Sequence, residues 1–408
     1  MSEPTDSASA CREALDWLYG TQMFGIKLGL EGITRLLGDC GVLHPRAQVI
    51  HVAGTNGKGS TCAFAESVAR AAGYGTGLFT SPHLVRFNER IRVNGEEIPD
   101  ADLARLIGQL RRRVEGRETM PTFFELTLAI ALMYFAEREV DLIILETGMG
   151  GRLDATNAVP KDVAVIAPIG LDHRQYLGDT LYEIAGEKAA IIAPHRPAVS
   201  APQQPDAKRA IDEAAARART ECRIIHETCE LPLGLRGSHQ KSNAALALAA
   251  LRSLPGFSAS DAAVACGLAE VRWPGRFEEI APGVIMDGAH NPPAMRVLVQ
   301  SWREAFGERR ARCIFAGSAD KDLDSVLSIL SPIVSGWVLP PVQSPRILPA
   351  SELAAKVRAC SSAPLSCPAT LSDALRDLPS GTLICGSFFL LGEAKALLAS
   401  ADYRRSAQ

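Results

Sequence analysis

The sequence predicts an α/β fold in two parts: a larger P-loop-type domain on a mostly parallel sheet over residues 1–274, and a smaller Rossmann-like α/β domain over 275–408. Three observations carry this reading. Short apolar runs alternate with amphipathic stretches through roughly the first 160 residues, the pattern of a parallel sheet with crossover helices. A glycine-rich turn at 54–60 joins one apolar run to the next amphipathic stretch. After the break Trp273-Pro274-Gly275 the alternation starts again.

Taken in order, the apolar runs at 48–53, 77–80, 141–146 and 162–169 have strand length, and each gives way to Gly-, Ser- or Asp-rich sequence. Between them, 58–72, 100–114 and 123–137 carry helical periodicity. The last is apolar nearly all round, which predicts an interior helix rather than a surface one. Helical bias continues at 180–193, where Pro194 forbids extension, then at 201–220 and 240–253, and on to Leu268. Beyond the break come a strand at 284–287, a helix at 293–306, a strand at 312–316 and a helix at 323–329. A strand at 336–339, a helix at 351–357, a strand at 382–385 and a closing helix ending near Leu398 complete the chain. No repeat or low-complexity tract interrupts the order, and Pro340-Pro341 with Pro345 marks a local loop.

Composition narrows the function classes. With 408 residues, 47% hydrophobic and 22% charged, the chain can bury its own cores, and long disorder, collagen-like and coiled-coil architectures are excluded. A net charge of −3 gives no global pull on nucleic acid or an anionic membrane, so neither is expected as a partner and any phosphate must be held at a local site. The ten cysteines lack CxxC spacing and read as buried or inert free thiols in a reducing compartment. The first residues lack a basic-then-apolar secretory pattern, and no apolar stretch approaches the ~18 residues a membrane span needs. The expectation is a cytoplasmic protein, monomeric because no heptad or long exposed edge demands assembly.

His51-Val-Ala-Gly54-Thr-Asn-Gly57-Lys58-Gly59-Ser60 places glycines between a strand and a helix, where backbone amides and the helix N-terminus can hold phosphates and Lys58 adds a point charge. The spacing is not that of Walker A. Only two residues separate Gly54 from Gly57, and Gly59 stands where a metal-binding hydroxyl usually follows the lysine. Alone, such a motif also fits a glycine turn with an incidental lysine.

Three more residues extend it. Glu146 ends the apolar run begun at Asp141 and opens Thr147-Gly-Met-Gly-Gly-Arg-Leu-Asp-Ala-Thr-Asn157; His173 follows the next strand, in Ile169-Gly-Leu-Asp-His; Ser81 follows an earlier one, in Thr80-Ser-Pro-His. Ligands bind beside the carboxyl ends of strands in open α/β sheets, so these groups should converge on one crevice. A hydroxyl, a carboxylate and an imidazole there suit Mg²⁺ bridging nucleotide phosphates, with water in the remaining positions. Singly, each also reads as a loop histidine or a helix-capping glutamate; their joint placement favours a site. Lys188, flanked by Ala and Ile, reads from pattern as a lysine whose stem covers apolar surface. In the second part, Arg276 offers a planar fork to phosphate, and the strand-end Asp287 a carboxylate to ribose or an amine. Asp-Gly and Asn-Pro there are equally turn formers.

Together these segments resemble the folylpolyglutamate synthase/dihydrofolate synthase family within the ATP-dependent Mur ligase superfamily. The resemblance is carried in family order by Lys27-Leu-Gly-Leu-Glu31, GTNGKGS at 54–60, SPHLVRFNERI at 81–91, TFFE at 122–125, ETGMGGRLDATN at 146–157, LDH at 171–173 and EKA at 187–189. It continues through HQ at 239–240 with Asn243, GRFE at 275–278, DGAHNP at 287–292, Asp320-Lys321-Asp322 and Gly386-Ser387-Phe388. Thr147 and Pro168 stand where Val and Ser are commonest, and Lys27 where several bifunctional members carry Asp.

The resemblance implies a Mur-ligase ATP-binding and catalytic domain over 1–274 and a glutamate ligase domain over 275–408. It implies ATP held by Gly54, Thr55, Asn56, Gly57, Lys58, Gly59 and Ser60, with Asn243, Arg276 and Asp287 at the adenine and the ribose or phosphates. It implies one or two Mg²⁺ ions on Ser81, Glu146 and His173, and a carbamylated Lys188 that overturns the surface-covering reading and places a carboxylate near the second metal. Lys58, Glu146, His173 and Lys188 form the implied catalytic set. Lys27, Leu28, Gly29, Leu30, Thr122, Phe123, Phe124, Glu125, Leu153, Asp154 and Ala155 would face the pterin, and His290 would also face substrate.

The implied activity is ATP-dependent joining of L-glutamate to dihydropteroate and to folate γ-carboxylates through an acyl phosphate, with small molecules as the only partners. Its rivals are polyglutamylation alone, another Mur-type ligase, and a non-catalytic nucleotide switch. TFFE and the 81–91 segment speak against a cell-wall ligase. A switch would have no chemical reason to keep Glu146, His173 and Lys188 beside the glycine loop.

Overall fold

The computed structural model describes residues 4–24, 29–400 and 403; Lys27 and Leu28 lie outside the described residues. Helix α1 (Pro4–Gly20) and α2 (Glu31–Asp39) precede the first strand, β1 (Gln48–Ala53). Neither was expected from the apolar pattern. β1 leads through the glycine loop into α3 (Lys58–Ala71), then β2 (Thr76–Phe79), β3 (Ile91–Val93) and β4 (Glu96–Glu97). The β3–β4 hairpin turns on Asn94 and Gly95, both at positive φ, as a two-residue Asn-Gly loop requires.

α4 (Asp100–Val114) carries Asp100 and Asp102 in its first turn and three arginines in its last, charges that complement its dipole. α5 (Phe123–Glu137) opens with a reciprocal cap between Thr122 and Glu125 and is buried along nearly its whole length, as its composition predicts. Then come β5 (Leu142–Glu146), β6 (Val163–Ile166), the short α6 (Arg174–Leu177), α7 (Leu181–Ala189), β7 (Ala198–Ser200), α8 (Pro205–Arg217), β8 (Cys222–Ile224), α9 (His239–Arg252) and α10 (Asp261–Glu270).

Two expected helices are shorter than the sequence suggests. α7 stops at Ala189, where the chain turns through Ile191 and Ile192 toward β7. α8 starts only at Pro205, whose missing amide suits a first helical turn, because Ala201 is still bonded to Ile166 of the sheet.

The eight strands lie in the order β4-β3-β2-β5-β1-β6-β7-β8, parallel from β2 to β8 with the β3–β4 hairpin antiparallel at one edge. β1 is central, so the loops after β1, β2, β5 and β6 leave the sheet at one edge. α3 and α9 cover one face together with α10, which sits tight against α3: Ser67 Oγ donates to Gly267 O at 2.7 Å, and a Cβ at Gly267 would stand 2.6 Å from Val68 Cα. Gly267→Ala is therefore expected to cost about 2 kcal/mol as α10 is forced off α3, read as a lower urea midpoint.

The second sheet is built from β9 (Glu278–Ala281), β10 (Val284–Asp287), β11 (Ala311–Phe315), β12 (Val334–Val338), β13 (Leu365–Ser366) and β14 (Thr382–Cys385). Their order is β13-β12-β11-β14-β10-β9, parallel except for β9. Helices α11 (Pro292–Phe306), α12 (Leu323–Leu330), α13 (Ala350–Cys360), α14 (Leu371–Leu375) and α15 (Phe388–Ala399) lie among them in the chain. Leu84 joins the core beneath α15, so the 81–91 segment of the first sheet's side packs onto the second.

All ten cysteines are free thiols; Cys11, Cys62, Cys229, Cys313 and Cys385 are buried, while Cys266, Cys360 and Cys367 are exposed. Among the described residues no helix is long and apolar enough to cross a membrane.

Candidate active site

The glycine loop lies flat on the loop that follows β6. Gly54 has φ 149°, and a Cβ there would stand 2.7 Å from Ala167 Cβ. The amides of Thr55 and Asn56 donate to Pro168 O at 2.9 and 3.2 Å, while Thr55 Oγ1 exchanges 3.1 Å hydrogen bonds with the Gly170 backbone. Those two amides are committed to the fold. The donors left for an anion are the first-turn amides of α3 at Lys58, Gly59 and Ser60, which have no acceptor within the helix. Lys58 Nζ reaches Thr55 O at 3.4 Å, over the same turn.

Beside this turn, Ser81 N donates to Glu146 Oε2 at 3.1 Å, and Ser81 Oγ is buried without a hydrogen-bond partner among the described residues. Burial pushes the Glu146 carboxyl up, against the pull of Lys58. A partnerless hydroxyl next to a buried carboxylate is a pair that a hard divalent cation would complete. Gly59 is hemmed in from this side: a Cβ there would lie 2.9 Å from Trp273 Nε1 and 3.7 Å from Glu146 Oε1. The indole and the carboxylate occupy the space that a Ser or Thr would need.

His173 takes the left-handed conformation, φ 51°, at the start of α6. Its ring neighbours Asp172, Lys321, Lys188 and His290 electrostatically, and burial pushes its imidazole down to about 4, so it is neutral at physiological pH. It is thus grouped with these residues, whereas Ser81 and Glu146 form their own pair, and no three His, Cys, Asp or Glu side chains converge as a metal cluster among the described residues. Lys188, only 4% exposed, makes no hydrogen bond or ion pair among the described residues; burial, reinforced by Lys58, pushes its ammonium down to about 7. Its head is as buried as its stem, which a merely surface-covering lysine would not allow.

The second sheet's edge meets this crevice. Asp172 is gripped by Lys321 Nζ at 2.6 Å and Asn291 Nδ2 at 2.9 Å, while Asn291 and Asn56 exchange amide hydrogen bonds at 3.1 and 3.2 Å. Burial opposes ionisation of Asp172, but the neighbouring His290 and the Lys321 ammonium outweigh it and hold the carboxyl well below its usual range. His290 anchors Nδ1 on Gly288 O at 2.8 Å and sets its ring edge-on to Phe388.

Arg276 lies over the Phe388 ring at 4.7 Å, within the electrostatic reach of both Asp287 and Glu146. Asp287 accepts from Phe277 N and Ala289 N, each at 2.8 Å, tying the 275–289 turns together. From the first sheet's side, Asn243 reaches over Gly57, φ 85°, with Oδ1 2.7 Å from where a Cβ would stand.

The residues expected to face the pterin make contacts of their own. Phe124 packs on Gly148, Phe123 lies tilted against Tyr19 and edge-on to Phe87, and Glu125 is spent on capping Thr122. Asp154 holds the 147–157 loop through Met149 N at 2.9 Å and Thr156 N at 3.0 Å. Ala155 is buried and Leu153 is 41% exposed, an apolar group presented to solvent. Gly29, at φ 126°, and Leu30 lead into α2.

Sequence reasoning assigned no role to Asp172, Lys321, Asn291 or His51, although all four lie inside motifs it quoted. His51, on β1, accepts or donates at Nε2 to both Thr156 Oγ1 (2.7 Å) and Thr147 Oγ1 (3.1 Å), clamping the 147–157 loop from below. Only the paired sheets show these contacts. Asp172→Ala would leave Lys321 buried without its partner and is expected to cost about 3 kcal/mol, measured by urea unfolding, with Asp172→Asn costing less because an acceptor remains.

The Mur ligase middle domain family matches residues 52–221, and the Mur ligase glutamate ligase domain family matches 275–385. The chain is 37% identical over 359 residues to a Bacillus subtilis dihydrofolate synthase/folylpolyglutamate synthase, covering 80% of this chain and 84% of that one. The structure of Escherichia coli FolC in complex with DHPP and ADP superposes with a TM-score of 0.84 at 32% identity, over 95% of this chain and 98% of that one. A bifunctional folylpolyglutamate synthase/dihydrofolate synthase from Yersinia pestis, complexed with AMPPNP and a Mn ion, superposes at 0.83 with 32% identity, over 92% and 94% of the two chains. With both halves matched and the site residues standing on the expected strand ends, this chain belongs to the dihydrofolate synthase/folylpolyglutamate synthase family of Mur-type ligases.

Proposed function

We propose that this chain uses ATP to join L-glutamate to dihydropteroate and to the γ-carboxyl of reduced folates. The observation that carries it is the meeting of the α3 N-terminus, Lys58 and the Ser81–Glu146 pair with Arg276 and the Asp172–Lys321 contact across one crevice. A carboxylate is a poor electrophile, and ATP activates it by moving its γ-phosphoryl group onto a carboxylate oxygen. Lys58 and the first-turn amides of α3 hold the phosphates in line and offset the charge that develops. Arg276 supplies a second cation from the other side of the crevice.

Ser81, Glu146 and His173 are the residues that would hold Mg²⁺, which when bound neutralises phosphate charge. A carbamylated Lys188 would add a carboxylate beside them. The amine of L-glutamate then attacks the acyl carbon, loses its proton, and inorganic phosphate leaves as the amide forms. Water would destroy the acyl phosphate, so the residues that seal the crevice matter as much as those that touch ATP.

We place the domain boundary at 274/275. The Asn56–Asn291 and Asp172–Lys321 contacts would hold the two domains closed during the reaction. The pterin wall comprises Gly29, Leu30, Thr122, Phe123, Phe124, Glu125, Leu153, Asp154 and Ala155, with His290 on the glutamate side. The protein works as a monomer in the cytoplasm on small molecules alone.

The test is ADP release dependent on L-glutamate, with dihydropteroate and tetrahydrofolate offered separately. Turnover with both is expected. Turnover with tetrahydrofolate alone would reduce the activity to polyglutamylation, and a folded protein active with neither would overturn the proposal.

A further inference from the structure

We propose that Trp273 is a further ATP-binding residue, whose indole N–H donates to an anionic oxygen of the nucleotide's phosphates beside the first turn of α3. The inference rests on the reading above that those phosphates sit at the α3 N-terminus. In the common phosphate loop a Ser or Thr follows the lysine, and its hydroxyl reaches the metal on the phosphates. Here Gly59 follows Lys58, and an indole nitrogen takes the place of that side chain. Trp273 Nε1 stands 2.9 Å from where a Gly59 Cβ would be, nearer than its ring carbon Cε2 at 3.6 Å. Helical Cβ atoms tilt toward the helix N-terminus, so this flank of Gly59 is the one turned to the phosphates.

The proton on this nitrogen is unspent. Two other tryptophans, Trp302 and Trp337, are buried and donate to Arg309 O at 2.7 Å and to Ser361 Oγ at 3.1 Å. Trp273 is half-buried, and its Nε1 donates to nothing among the described residues. Glu146 Oε1 lies 3.7 Å from the same Cβ position, yet no hydrogen bond joins it to the indole. An indole N–H has no lone pair to give, so it cannot ligate a cation as a hydroxyl would; it can only donate. The two duties of the usual hydroxyl position are thereby separated. The Ser81–Glu146 pair is left for the metal, and Trp273 for a phosphate oxygen.

The donor is also held in place. The Arg92 guanidinium lies over the Trp273 ring at 5.7 Å and is itself fixed by Glu97 at 3.1 Å, while the indole packs on the core shared by α3 and α9. A donor placed in advance loses little freedom when the phosphates arrive.

The experiment follows the indole N–H signals of the full chain by proton–nitrogen NMR as AMPPNP and Mg²⁺ are added, with calorimetry on the same sample to show binding. Trp273→Phe, or Trp273→Leu should the Phe variant fail to fold, identifies the Trp273 signal by its loss. That signal is expected to move downfield and to exchange more slowly with water, while those of Trp302 and Trp337 stay in place. A residue that only packs would gain no such protection. Trp273→Phe keeps a ring beneath Arg92 and removes the donor, so KM for ATP should rise about tenfold, the worth of one hydrogen bond to a charged group, with KM for L-glutamate unchanged. A natural protein that binds AMPPNP while none of its indole signals moves overturns the inference without any variant. So does a folded Phe variant with an unchanged KM for ATP. A natural protein that binds no AMPPNP would sink the underlying reading, and the inference with it.

Discussion

Lys58→Ala is expected to lower kcat by about 10²–10³-fold with the fold intact. Lys58 is the first residue of α3, and its one hydrogen bond among the described residues is a long one, 3.4 Å to Thr55 O. Truncation therefore removes little structure, and thermal melting should be nearly unchanged. It removes the point charge at the helix N-terminus where the phosphates are proposed to sit, and with it part of the field that keeps Glu146 from being still harder to ionise. Because the charge on the transferring group is largest in the transition state, the loss should fall on kcat more than on KM. An unchanged kcat in the folded variant contradicts the phosphate role.

Activity of enzyme stripped of carbon dioxide should depend on pH and bicarbonate through Lys188, and Lys188→Ala should lose about 100-fold in kcat and lose that dependence. Burial, reinforced by the nearby Lys58, pushes the Lys188 ammonium down to about 7. Its proton therefore leaves as pH rises through about 7, three units or more before an exposed lysine would lose its own. Only the neutral amine can attack carbon dioxide, forming an N–C bond and releasing a proton to give a carbamate. Carbamylation and activity should rise together above pH 7 and fade below it. A natural protein that responds neither to bicarbonate nor to this pH window, and shows no carbamate carbon by NMR after labelling, contradicts the assignment.

Much of this architecture was legible in the sequence. β1, β10 and β14 fall where their apolar runs place them, and α4 and α5 match their periodic stretches from end to end. Besides α1 and α2, which precede the first apolar run, the strands that escaped detection are short ones. β7, β8 and β13 have two or three residues each, too few for a hydrophobic period to register, and they exist because a neighbouring strand supplies their hydrogen bonds. The β3–β4 hairpin did carry a local signal, Asn94-Gly95, which the wider βα alternation overshadowed.

The candidate site divides along the same line. Glycine spacing and strand-end residue types were sufficient to mark Lys58, Ser81, Glu146 and His173, because each sits within a few residues of a strand end and the parallel sheet gathers those ends; Lys188, inside α7, was marked only by the family resemblance. That the Thr55 and Asn56 amides are spent on Pro168, leaving the next three residues as the anion donors, depends on a loop more than a hundred residues away. That Lys188 buries its charge, and that Asp172 holds Lys321 across the crevice, depends on desolvation and on contacts between two sheets. By itself the sequence determined the α/β elements, the residue types at the strand ends and the family. Only the tertiary structure decided which hydrogen-bond donors remain free and which charges lose their water, because both are set by neighbours distant in the chain.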